Sequence, residues 1–237
     1  MKIRSWLLVE PSADIAKIRD AGADRIVVDL AASVDDWKAV AGFCTAWAEI
    51  EVHRPPAFLL PPFSSGRTEA AAELAVRCGA NHVFLAGARN GAEVQRLDVV
   101  LRVEELRSGR PPAATAIVAL ADDAGVLAAM SFERCSRRLS GLCWEAHLDV
   151  RSDASRLARA TIGLAASAAG VIALDSLSGT GDEAAFRKEC LAARENGFTG
   201  KLCRDLRQIP IVNRIFVDYP AEPAGRDISK TSAPPSA

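Results

Sequence analysis

Acids and bases recur at regular places in this chain, each just after a short apolar run. Glu10 follows IRSWLLV, Asp29 follows RIVV, and Ser64 and Ser65 follow AFLL beyond two prolines. Arg89 and Asn90 follow HVFLA, and Asp122 and Asp123 follow ATAIVAL. Glu145, His147 and Asp149 close LSGLCW, Asp175 and Ser176 close GVIAL, and Arg204 and Asp205 close GKLC. Carboxylates gathered at one place could share a hard cation or exchange protons with a substrate. Arginines among them could hold an anion. On these grounds Asp29, Glu145 and Asp175 are candidate catalytic residues, Glu145 and Asp122 candidate metal ligands, and Arg204 and Arg89 candidate anion binders. Each also has a plainer reading. Asp122, Asp123, Asp149, Ser152 and Asp153 could cap or precede helices. Asp29 could accept hydrogen bonds from its own strand end, and His147 could be an ordinary loop residue. Trp144 would shield Glu145 and raise its pKa by desolvation.

Such a census matters only if one scaffold brings the positions together. The apolar runs are continuous rather than alternating, which predicts strands buried on both faces of a parallel sheet. They fall at 3–9, 25–30, 57–60, 82–86, 114–120, 139–145, 170–175 and 200–204. Helical patterns separate them: from Pro11 and Ser12 to Ala21, from Ser33 or Asp35 to Ile50, and from Thr68 to Cys78. Others run from Gly91 to Arg107, from strand five to Arg134, over 153–168, from Asp182 to Asn196, and from strand eight to Val217. Eight strand–helix units predict a (β/α)8 TIM barrel over residues 1–220, in which chemistry sits at the carboxyl ends of the strands. No G-x-G-x-x-G turn follows the first strand, which argues against a doubly wound dinucleotide-binding sheet. The stretch 221–237, rich in Pro, Ala and Ser, is expected to be disordered.

The totals agree with one such domain. The chain has 237 residues, is 49% hydrophobic and carries a net charge of −1. That balance predicts neither a nucleic-acid nor a membrane partner. No apolar run is long enough for a membrane span, and the first residues lack a cleavage site for a signal peptide. Six cysteines with no C-x-x-C pair argue against a zinc site and predict reduced thiols in the cytoplasm.

Three stretches resemble one family. RSWLLVEPS (4–12), GADRIVVDLAASV (22–34) and the long segment 168–216, which contains AAGVIALD and GFTGKLCRDLRQIPIVNRIF, match its opening strand, second strand and closing section. With the strand-six segment, the resemblance covers about residues 4 to 217. The chain is similar to the citrate lyase β-subunit-like proteins of the HpcH/HpaI aldolase superfamily. That resemblance implies a Mg²⁺-dependent lyase of CoA thioesters, in which the metal polarises an enolate oxygen. It also implies acyl-CoA or small-acid ligands and a homo-oligomer. The family's working positions, carried over one at a time, fall mostly on apolar residues. Its strand-two acidic pair falls on Ala31 and Ala32. Its strand-three arginine falls near Leu59, and its strand-four lysine near Gly87. Its two metal carboxylates fall near Ala121 and on Ala146, beside Asp122 and Glu145. Its I-H-P-S-Q is replaced by Arg204, Asp205, Leu206, Arg207 and Gln208, and its C-terminal helical extension has no counterpart before 237. Arg134, Arg137 and Arg138 are the candidates for CoA phosphates. The expectation is therefore an impaired or repurposed member, a pseudoenzyme acting as a binding or partner protein. The alternative is an active acyl-CoA lyase or thioesterase with a rebuilt carboxylate metal site, with Glu10, Asp29, Glu145 and Asp175 facing one mouth.

Overall fold

The computed structural model describes residues 3–32, 36–51, 54–145, 152–175 and 182–217. Eight parallel strands close into a barrel in chain order: β1 (Ser5–Val9), β2 (Arg25–Asp29), β3 (Ala57–Leu60), β4 (His82–Ala88), β5 (Ala116–Ala121), β6 (Leu139–Trp144), β7 (Ile172–Asp175) and β8 (Gly200–Cys203). The helices between and after them are α1 (Ile15–Asp20), α2 (Trp37–Ile50), α3 (Thr68–Arg77), α4 (Gly91–Arg107), α5 (Asp123–Leu127), α6 (Asp153–Ala169), α7 (Glu183–Glu195) and α8 (Ile209–Ile215). The fold class is the predicted (β/α)8 barrel. The expected tail at 221–237 and the expected caps Ser33 and Asp35 lie outside the described residues.

Alternation along each strand sorts its side chains into two cores. Trp6, Leu8, Val27, Leu59, Phe84, Val118, Leu120, Cys143, Leu174 and Leu202 fill the barrel interior. Trp6 stands edge-on to Phe84, ring centroids 5.1 Å apart, so two large rings occupy the barrel's inside. The other phase, including Leu7, Val28, Phe58, Leu142, Trp144 and Cys203, packs outward under the helices. This explains the unbroken apolar runs, since both faces of each strand are covered.

Two elements differ from the sequence expectation. β4 runs on to Ala88 through a register shift against β5, with Gly87 at φ +58°, a conformation that glycine takes without a Cβ penalty. The helix expected to reach Arg134 stops at Leu127 and continues as a 3₁₀ turn over Ala129–Phe132. Three residues per turn put Ala129 and Phe132 on one side, and both are buried. The remaining ends move by a few residues. Asp14 rather than Ser12 caps α1, accepting from the Ala16 and Lys17 amides at 3.0 and 3.3 Å.

Candidate functional site

The mouth of the barrel is built by the interior phase of each strand continued past its end. On β2, Val27 faces inward, and Asp29 follows two positions later. On β6, Cys143 faces inward, which sets Glu145 toward the same mouth. Asp122 follows Leu120 and Arg204 follows Leu202 in the same way. Glu10 follows Leu8 and is exposed.

Asp29 is buried, and its carboxylate closes the strand end. Oδ1 accepts from the Ala31 amide at 2.9 Å and the Ala32 amide at 3.3 Å. Oδ2 lies 3.7 Å from Arg204 Nη1, whose side chain remains 55% exposed. A charge contact of this length leaves the guanidinium's outer donors facing solvent. Ala31 serves as an acceptor too, since Arg67 Nη2 donates to its carbonyl at 3.3 Å. Arg67 was not among the sequence candidates. It sits just before α3, where nothing in the pattern separates it from an ordinary surface arginine.

Asp122 and Arg89, expected to act separately, are joined. Arg89 Nε donates to Asp122 Oδ2 at 3.1 Å, while Asp122 Oδ1 caps α5 by accepting from the Gly125 amide at 2.9 Å. Both oxygens of the candidate metal ligand are engaged and its charge is already met. Glu145 is half-buried, and its amide donates to the Ala121 carbonyl at 2.8 Å, which continues the β5–β6 ladder. Trp144 packs outward under the helices, on the opposite face from Glu145, and does not shield it. His147, Asp149, Ser176 and the Ala146 position lie outside the described residues.

Asp175 corrects the expectation that four strand-end carboxylates face one mouth. Leu174 takes the interior position, so Asp175 points outward between the sheet and its helices. There it meets the Lys201 ammonium, and Arg159 of α6 reaches it at 3.1 Å. Lys201 also lies over the Phe186 ring of α7, 5.3 Å from its centroid. Arg138 is a second correction. It precedes β6, at the end of the barrel away from the mouth, and is buried against Glu105 at 2.7 Å and Asp98 at 2.8 Å. It is not placed to meet a CoA phosphate at the mouth, and Arg134 pairs at 3.5 Å with Glu133 beside it in sequence.

The described side chains of the mouth do not assemble a site for Mg²⁺, which takes several hard oxygen ligands in a tight octahedron. Among the described residues no group of three or more His, Cys, Asp or Glu side chains is placed to hold a metal ion. Two of the mouth acids, Asp29 and Asp122, stand against arginines.

Over 152 residues the chain is 30% identical to citrate lyase subunit beta of Leuconostoc mesenteroides subsp. cremoris, a match covering 60% of this chain. The chain is similar to citrate lyase subunit beta over that stretch. It spans half the length of that relative. No protein-family model matches the sequence. Among solved structures, the chain superposes on CitE of Mycobacterium tuberculosis in complex with magnesium and acetate, with a TM-score of 0.71 at 22% identity over 92% of each chain. CitE of the same organism in complex with magnesium, acetoacetate and coenzyme A gives a TM-score of 0.70 at 22% identity, covering 91% of this chain and 81% of that one. RipC of Yersinia pestis gives 0.71 at 20% identity, covering 90% and 94%. These likenesses show the fold.

Proposed function

We propose that this CitE-like barrel binds a small acid or an acyl-CoA thioester at its mouth, and that it has lost the magnesium-dependent carbon–carbon chemistry that its resemblance implies. It is read as a pseudoenzyme acting as a binding or partner protein in the cytoplasm. One observation carries this reading: two of the mouth acids that could have formed a metal site are matched by arginines, Asp29 by Arg204 and Asp122 by Arg89. A hard cation brought to this mouth would meet guanidinium charge beside the carboxylates. An anionic ligand would meet the outward donors of Arg204, and a carboxylate suits the planar fork of a guanidinium.

The test is the thermal midpoint of the full chain with acetyl-CoA or oxaloacetate, each with Mg²⁺ and with EDTA. A ligand that binds the folded state raises the midpoint by mass action. The expected result is a ligand-dependent rise that EDTA leaves unchanged. A rise that requires Mg²⁺ would overturn the proposal and restore the rebuilt lyase or thioesterase site. No rise with either ligand would overturn the ligand-binding half and leave a partner role to be sought by pull-down.

A further inference from the structure

At the end of the barrel opposite the mouth, β2 begins with a second charged site. A cavity of about 30 Å³ opens between α1 and α2, lined among others by Arg19, Gly22, Arg25, Trp47, Glu51 and Arg54. That is room for a compact guest larger than one water. Arg25 Nη1 donates to the Asp24 carbonyl at 3.2 Å. Arg25 Nε is shut off from solvent with no hydrogen-bond partner. The neighbouring Asp24 carboxylate does not serve it, because Arg4 takes both oxygens, at 2.8 and 2.9 Å on Oδ2 and 2.9 Å on Oδ1. Arg54, the second arginine of the cavity, has Glu51 as its one ionic partner among the described residues, at 3.8 Å. Its main chain is fixed, since the Trp47 indole N–H donates to the Arg54 carbonyl at 2.8 Å.

The local field is positive. Burial and the Arg54 charge hold Arg25 below its ordinary value. Burial and the Arg25 charge push His82 down to about 4, so the imidazole adds no charge at neutral pH. Buried donors without acceptors are rare in folded proteins and call for a bound group. Two facing guanidiniums, one with an orphan N–H, form a ready cradle for an oxyanion.

We propose that this cavity binds a compact oxyanion of the phosphate class, with Arg25 Nε and Arg54 as its donors. The guest bridges the two guanidiniums and relieves their repulsion. It is either free inorganic phosphate or the terminal phosphate of an ester. The site is about 13 Å from Asp29 along the five residues of β2, by strand rise alone, and is separate from the mouth.

Inorganic phosphate, and in a parallel arm AMP, would be titrated into the full chain at constant ionic strength set with chloride, following the thermal midpoint and ³¹P line width. The expected result is a saturable rise in wild type with inorganic phosphate, weakened about tenfold or more in Arg54→Ala. Glu51→Gln, which removes the competing carboxylate, is expected to tighten binding. A saturable response to AMP that exceeds the response to phosphate supports the site and assigns it to an ester. A rise that does not saturate, or that is equal in wild type and Arg54→Ala, would overturn the proposal, as would a silent response in wild type and Glu51→Gln alike.

Discussion

Lys201 and Asp175 are register partners on neighbouring strands, and their side chains form an ion pair closed off from solvent behind the sheet. Burial alone would pull Lys201 down, but the Asp175 carboxylate outweighs it and the lysine is held above its ordinary value. With Arg159, the cluster carries two cations on one carboxylate. Asp175 is thus the anchor of the β7–β8 edge against α6 and α7.

Asp175→Asn should leave both cations buried without a counter-charge and cost about 3–5 kcal/mol, as seen when one partner of a buried pair is removed. Urea denaturation would measure it. The folded-state pKa of Lys201 is raised, so its stabilisation is present below the unfolded lysine value and lost as pH rises through the folded one. The Lys201 contribution in wild type should therefore weaken only in strongly alkaline solution. A denaturation midpoint unchanged by Asp175→Asn at neutral pH would remove this role.

Acid should act at other places. Burial alone would raise Asp24, Asp98 and Glu105, but hydrogen bonds outweigh it, from Arg4 to Asp24, from Arg102, Ser136 and Arg138 to Asp98, and from Arg138 to Glu105. All three lie below the usual carboxylate range. Depressed carboxylates stabilise above their unfolded values, and that contribution is lost as pH falls through the folded ones. Stability should hold down to the ordinary carboxylate range and fall below it. In Arg138→Met Asp98 and Glu105 lose much of that depression, so the midpoint should be lower at neutral pH and its fall with acid shallower than in wild type, which a pH series of thermal midpoints would show.

Arg204→Ala should change stability by less than about 1 kcal/mol, because its contact with Asp29 is long and half in solvent. The midpoint rise caused by oxaloacetate or acetyl-CoA should fall in the same variant. If stability collapses while ligand response persists, Arg204 is a structural strut and the mouth reading fails.

Gly125→Ala should cost about 1–3 kcal/mol by overpacking. A Cβ at Gly125 would stand 2.0 Å from the Ala88 carbonyl oxygen, and backbone cannot swing away as a side chain can. Asp122→Ala should cost about 1 kcal/mol through the lost cap of α5. Chemical denaturation of the two single variants would separate close packing from capping.

The sequence alone determined the barrel. Eight continuous apolar runs with helical patterns between them leave little else, because burial on both faces of a strand is written directly in its residue types. A helix start set by a side-chain cap was equally legible at Asp182, since a cap acts within three residues of itself. The Ala31–Ala32 end of β2 was readable as a place where polar groups are lacking. Only the tertiary structure decided which way each charged side chain turns. Asp29 and Asp175 end two patterns that look alike in sequence, yet one closes the mouth and the other is sealed under α6 and α7. A one-residue difference in where a strand's phase stops exchanges inside for outside, and apolar runs buried on both faces carry no alternation to fix that phase. The pairing of Arg89 with Asp122 and of Arg204 with Asp29 had no local signature for the same reason. Each joins residues from different strands or loops, and only closure of the barrel brings them together.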